Sequence, residues 1–313
     1  MRAAAPPRVR RGDIVGIVAP AGPVKPERLE RGLDRLGDPF RIRLAPTLTE
    51  PRPPGIPSYL SASDAQRADE MNAMIRDPDV RAIILARGGY GLMRILPALD
   101  AAALRADPKP LVGFSDATAL LAWAHHAGVR AIHGPVIAQL GDLPDDDIAQ
   151  LVDLLTEPRA PGIRPWTLAL HGTGTYTGPL VAANLTLVSV LVGTPWPVPL
   201  DGAIAILEEV GERPYELDRY LTHLTLTGEL AKPAAVMLGE LTRCEDRNPA
   251  TGVPDPEDAA LRTVLERLRS AGSPVAVGAP IGHGTRNEPV PFGARCVLDL
   301  DHGVVEITEG AVA

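Results

Sequence analysis

The chain has 313 residues, 45% of them hydrophobic and 22% charged, the make-up of a globular protein long enough for one large or two medium domains. A formal charge of −8, with no clustered Lys/Arg run, excludes the basic surface that a nucleic-acid partner requires. Two cysteines, Cys244 and Cys296, are too few for a disulfide framework and lack CxxC spacing, and no apolar run approaches the ~18 residues of a membrane span.

The first half alternates strand-like and helix-like segments. Asp13–Pro20 (DIVGIVAP) is a short apolar run rich in β-branched residues and reads as a strand. A helix-compatible stretch, Lys25–Leu36, follows, and Phe40–Pro46 alternates in strand fashion. In Ser61–Asp77, Asp64 is the expected N-cap, and Ala68, Met71, Met74 and Ile75 share one helical face. Val80–Gly89 is a buried strand ending in glycines. After a helical region, Pro110–Gly113 forms another strand that runs into Phe114-Ser115-Asp116 and a helix over Ala117–Ala127. This βαβα rhythm implies a doubly wound, mostly parallel sheet, whose sites lie outside the carboxyl ends of the strands. Gly88-Gly89 and Ser115 should therefore share one edge.

From about Asp142 the character changes to a helix and a Pro/Gly-rich passage, the expected linker. Gly178–Gly193 (GPLVAANLTLVSVLVG) reads as a small-residue helix. Gly202–Val210 (GAIAILEEV) reads as a strand, and Leu217, Tyr220, Leu221 and Leu224 mark an amphipathic helix. A strand (AAVMLGEL), a helix (DAALRTVLERLRSAG), a strand ending in a loop (PVAVGAPIGHG) and a hairpin around Asp301-His302-Gly303 complete a second α/β domain.

Ser115 has two readings. It, or Asp116, is a plain helix cap; or it is a nucleophile on a strand-to-helix turn, with the N–H of Asp116 aimed at an oxyanion. The pattern GFSDA lacks the second glycine of the GxSxG elbow. A serine nucleophile needs a base and an orienting carboxylate. Seven histidines compete: His125, His126, His133, His171, His223, His283 and His302. His283 lies in a glycine-flanked loop after a strand, which leaves room for substrate. Glu208 and Glu209 end an apolar run, where they either pair or have reached solvent. His171–Gly178 (HGTGTYTG) does not fit GxGxxG, and there is no HExxH, so neither a nucleotide cofactor nor a metal is expected.

Taken together, Arg87–Gly91 (RGGYG), Gly113–Leu121 (GFSDATALL), His133–Pro135 (HGP), Ala183–Leu187 (ANLTL), Ile206–Leu224 (ILEEVGERPYELDRYLTHL) and Pro280–Gly293 (PIGHGTRNEPVPFG) resemble, in order, the LD-carboxypeptidase family of serine peptidases. That family includes muramoyltetrapeptide carboxypeptidases and microcin C self-immunity peptidases. The resemblance runs from about Asp13 to Asp301. It implies an N-terminal domain carrying the nucleophile (1–150), a linker (151–171) and a C-terminal α/β domain carrying the acid and base (172–313), with the site between the domains. Carried over by motif, it makes Ser115 the nucleophile, His283 the base and Glu208 the acid. The N–H groups of Gly89 and Asp116 form the oxyanion hole, and Gly88, Tyr90 and Asn184 contact substrate. Glu209, on the opposite strand face, is expected to be solvated. Two positions depart from many relatives: Ala182-Ala183 stand where two glycines are common. The expected substrate is a small peptide, murein tetrapeptide cleaved to release its terminal D-alanine. The alternative is a peptidyl- or aminoacyl-adenylate analogue. A cytoplasmic homodimer without cofactor, nucleic-acid partner or membrane partner completes the expectation. The polar loop 240–258 has no assigned role.

Overall fold

The computed structural model describes residues 3–37, 39–246 and 252–313, so part of the polar loop 240–258 lies outside the described residues. The chain forms two compact units: Met1–Ala160 with Glu288–Ala294 and Gly310–Ala313, and Pro161–Asn287 with Arg295–Glu309. It is a two-domain α/β protein. Among the described residues, no helix is long and apolar enough to cross a membrane.

The first unit is built on β1 (Ile14–Val18), α1 (Pro26–Leu36), β2 (Arg41–Leu44), α2 (Asp64–Arg76), β3 (Val80–Leu85), β4 (Leu111–Gly113), α3 (Thr118–His126) and β5 (Ala131–His133). The strands run β5-β4-β3-β1-β2, all parallel, and the short Val290–Phe292 strand adds antiparallel to β5. In β3, Ala82, Ile83, Ile84 and Leu85 are all fully buried. Burial of both faces explains why these strands read as continuous apolar runs. Val15, Ile17, Ile84, Val112 and Ile132 meet Leu29 and Leu36 of α1 in one core. Each such side chain contributes about 1.5–3 kcal/mol of burial. Ser63, rather than Asp64, caps α2: its side chain accepts from the Gln66 N–H at 3.2 Å. Asp64 is the first helical residue instead, and its carboxylate pairs with Arg67 and Arg94 at 2.5 and 2.8 Å.

The second unit holds β6 (Thr175–Asn184), α4 (Leu185–Val190), β7 (Ile204–Val210), α5 (Pro214–Leu226), β8 (Ala235–Thr242), α6 (Ala259–Ser270) and β9 (Val275–Val277). Strands β6 to β9 pair side by side in parallel. Four more strands extend them antiparallel, including the expected hairpin of Arg295–Asp299 and Val304–Ile307. Gly178–Gly193 departs from the helix expected of it: through Asn184 it is strand, and only Leu185–Val190 is helical. A small-residue run cannot be told from a buried strand by periodicity alone. Here Leu180, Val181, Ala182 and Ala183 are all fully buried between neighbouring strands and helices. A side chain at Gly178 would run into the Gly202 carbonyl oxygen, so the close strand approach requires glycine there.

Candidate active site

Ser115 follows β4 at once, with φ of +63°. Only Arg243 shares a positive φ among the described non-glycine residues. For an L-residue this costs of order 1–3 kcal/mol and persists only where surrounding structure enforces it. Residues 115–117 form one 3-10 turn before α3, and neither Ser115 nor Asp116 caps the helix that follows through its side chain. The reading of Ser115 or Asp116 as a plain cap of that helix therefore falls.

The neighbouring loop after β3 packs against this turn. A Cβ on Gly88 would stand 3.2 Å from the Ser115 Cβ, so Gly88 lies directly against the serine, while Gly89, with φ of +108°, packs against Gly22. The loop is fixed from three sides. Gly22, beyond β1, donates its N–H to the Gly88 carbonyl at 3.1 Å. Arg67, fully buried, donates to the carbonyls of Pro20 and Gly91. The Asp116 carboxylate accepts from the Leu92 N–H at 2.9 Å. Burial pushes the Asp116 carboxyl up to about 6 despite that bond and the Arg67 charge. Ser115, Asp116, Gly88 and Gly89 thus share one sheet edge, as the βαβα reading required. Tyr90 projects from the same loop, 50% exposed, with its ring edge-to-face on Tyr59 at 5.7 Å.

In the second unit, β7 continues through both glutamates, which therefore point to opposite faces. Glu208, fully buried, accepts a hydrogen bond from the His283 ring: Nδ1 to Oε2 is 2.7 Å. A carboxylate oxygen accepts, so in this pair the ring donates through Nδ1. Glu209 is not solvated: it is 2% exposed. Its carboxylate accepts from Asn184 Nδ2 (2.8 Å), the Thr186 N–H (2.7 Å) and the Val210 N–H (2.8 Å). Burial, reinforced by the Glu208 charge, holds its carboxyl above the ordinary range against these bonds. Asn184 also caps α4 through the Leu187 N–H at 3.2 Å.

The other histidines are occupied elsewhere. His125 packs on Phe292 at 6.1 Å and is pushed down to about 4 by burial, while His133 is fully buried against Phe114. His223 meets Ser189 Oγ at 2.9 Å, His171 meets Arg269 at 2.8 Å, and His302 pairs with Asp299 on the exposed hairpin. His126 is exposed at the end of α3. No group of three or more His, Cys, Asp or Glu residues suited to a metal ion occurs among the described residues.

The residue-level reading missed two participants. Arg67, under the glycine loop, looks like an ordinary helix-surface arginine in sequence. Glu240 donates its N–H to the Ile281 carbonyl (2.9 Å) and accepts from the Gly284 N–H, so it borders the His283 loop on both sides. The glycines flanking His283 signalled close approach but not what approaches.

A serine forced into a strained turn beside two glycines, and an imidazole oriented by a buried carboxylate, are groups that hydrolases forming covalent intermediates employ. The chain belongs to the LD-carboxypeptidase family: residues 15–134 match its N-terminal domain and residues 177–298 its C-terminal domain. It is similar to a Streptomyces coelicolor protein that bears a carboxypeptidase name, at 35% identity with 98% of this chain and 97% of that one covered. It is 32% identical to the murein tetrapeptide carboxypeptidase of Pseudomonas aeruginosa, over 77% of this chain and 80% of that one. Its fold matches the solved structure of the microcin C7 self-immunity protein MccF, in an inactive mutant without ligand. There the TM-score is 0.84 at 24% identity, covering 99% of each chain. The protein is thus a peptidase of this family.

Proposed function

We propose that the protein is a serine carboxypeptidase that removes the terminal D-alanine from murein tetrapeptide by cleaving an L,D-peptide bond, in cytoplasmic peptidoglycan recycling. The observation that carries this reading is the 2.7 Å hydrogen bond from His283 Nδ1 to the buried Glu208 carboxylate. It fixes the tautomer a general base needs and leaves Nε2 to take a proton. In this reading Ser115 Oγ attacks the scissile carbonyl as His283 Nε2 accepts its proton. The N–H groups of Gly89 and Asp116 hold the developing oxyanion. His283 then returns the proton to the leaving D-alanine amine, and water, deprotonated by the same imidazole, releases the acyl group. Gly88, Tyr90 and Asn184 are assigned as substrate contacts. The substrate assignment is supported by the name of the Pseudomonas aeruginosa relative. We also assign the protein as a homodimer, since closed two-fold dimers are the commonest assembly.

The test is incubation with murein tetrapeptide and, in parallel, an aminoacyl-sulfamoyl adenylate, read by mass spectrometry. Release of D-alanine from the tetrapeptide alone supports the reading. Cleavage of the adenylate alone replaces it with the self-immunity type of activity, and cleavage of neither removes both.

A further inference from the structure

The strand β8 carries an irregularity opposite the acid of the site. Leu238 pairs with Leu207, and the next paired residue, Leu241, faces Glu209. Two residues, Gly239 and Glu240, therefore oppose one, Glu208. That is a bulge, and bulges re-aim side chains beside sites. Here the bulge frees the Glu240 N–H from the ladder to bond the Ile281 carbonyl at 2.9 Å. It also turns the Glu240 carboxylate onto the loop that bears His283, where it accepts from the N–H groups of Gly284 and Arg286.

The glycines around His283 are fitted to this one side chain. A Cβ on Gly282 would come within 2.9 Å of the Glu240 Cβ, and one on Gly284 would collide with the Glu240 carboxylate. Gly239 is required in turn, because a side chain there would run into the Ile281 carbonyl. Its Cβ position also lies 3.3 Å from the Glu208 Cβ, so the bulge packs on the acid itself. Burial raises the Glu240 carboxyl, opposed by the two loop N–H groups.

We infer that Glu240 is a positioning residue: turned by the bulge opposite Glu208, it clasps the backbone on the far side of His283 and holds the imidazole at the distance Glu208 requires. The inference rests on the proposed roles of His283 and Glu208 but is read separately from them. A misplacement of about 1 Å at a catalytic group costs up to ~10²-fold in rate without loosening substrate binding.

The test compares Glu240→Gln and Glu240→Ala with the parent full-length chain, with melting temperature as the folding control. The first readout needs no activity: the downfield proton resonance of His283 Nδ1–H, assigned by its loss in His283→Asn. Glu240→Ala should broaden or shift that resonance. Glu240→Gln, which keeps one acceptor oxygen, should do so less. The second readout is kinetic. For Glu240→Ala, kcat should fall by about 10- to 100-fold with KM within about threefold. If Glu240→Ala does not fold, Glu240→Gln carries both readouts. A resonance identical to the parent's, or an unchanged kcat, overturns the inference. If the parent cleaves no peptide, the proposed function fails, and the proton resonance still decides the role of Glu240.

Discussion

Glu208 and His283 stand 2.7 Å apart, carboxylate to Nδ1, although 75 positions separate them in the chain. The neighbouring Glu209 points to the other face of the same strand and serves Asn184 and the start of α4. Adjacent buried carboxyl groups are costly; Glu209 is served by three N–H groups, and Glu208 by the His283 ring.

Glu208→Gln should therefore abolish turnover while the protein stays folded. The amide can favour the wrong imidazole tautomer, at a cost of up to ~10⁴ in kcat. Glu209→Gln should behave differently. It keeps one acceptor oxygen but turns an amide NH2 on the donors of the other, either the Thr186 N–H or the pair from Asn184 and Val210, so it should destabilise the second unit by about 1–3 kcal/mol, visible as a lower melting temperature. Activity assays and thermal melts on the two variants check this. A dead, fully stable Glu209→Gln with a normal Glu208→Gln would reverse the assignment.

Asp116 should make stability fall with pH in mild acid. Its carboxyl is held at about 6 in the folded chain, against an ordinary value near 3.8. Between those values the folded state keeps a proton that the unfolded chain has lost. Stability contributed by the neutral form is thus full below about pH 4 and is lost as pH rises through about 6. A gap of about two units corresponds to on the order of 3 kcal/mol. Asp116→Asn should remove this component of the slope, measured by urea unfolding at a series of pH values between 4 and 7. An unaltered slope would show that Asp116 does not titrate in that window.

Cys244 and Cys296 should be inert in the folded protein. Both are buried and are pushed up to about 12 by burial, so neither presents a thiolate at neutral pH. Ellman's reagent should find no thiol in the native chain and two after denaturation. Rapid native labelling would contradict their placement.

Much of the site was legible in sequence because its parts sit where parallel strands end. The apolar runs at β1, β3, β4 and β7 located the sheet edges, and a glycine pair or a polar residue at such an edge stands out. The family resemblance named Glu208, and strand alternation said only that Glu209 would face the other way. What alternation could not supply was the surroundings of Glu209, which depend on Asn184 and Thr186 from a neighbouring strand end. Asn184 was named only through the family resemblance and sat in a segment read as helix, since Leu180–Ala183 has the composition of either element. Glu240 was missed for a further reason: its proposed role comes from a bulge, which the glycine at 239 signals within the strand without telling which way the next side chain turns. The cap of α2 is expected at Asp64, whereas Ser63, one residue earlier and of the same capping chemistry, holds it; the choice between such neighbours rests on the geometry of the first turn.

The central claim is that Ser115 is the nucleophile, and it is tested most directly by the turnover of Ser115→Ala on murein tetrapeptide, with the melting temperature as control. The substitution also replaces a residue held at φ of +63° by another L-residue at the same cost, so the fold should survive. The account predicts D-alanine release near background, a loss of about 10⁴- to 10⁶-fold, from a folded protein. Retention of more than about a tenth of the parent rate, when loss of a triad member elsewhere costs orders of magnitude, would remove Ser115 from the reaction.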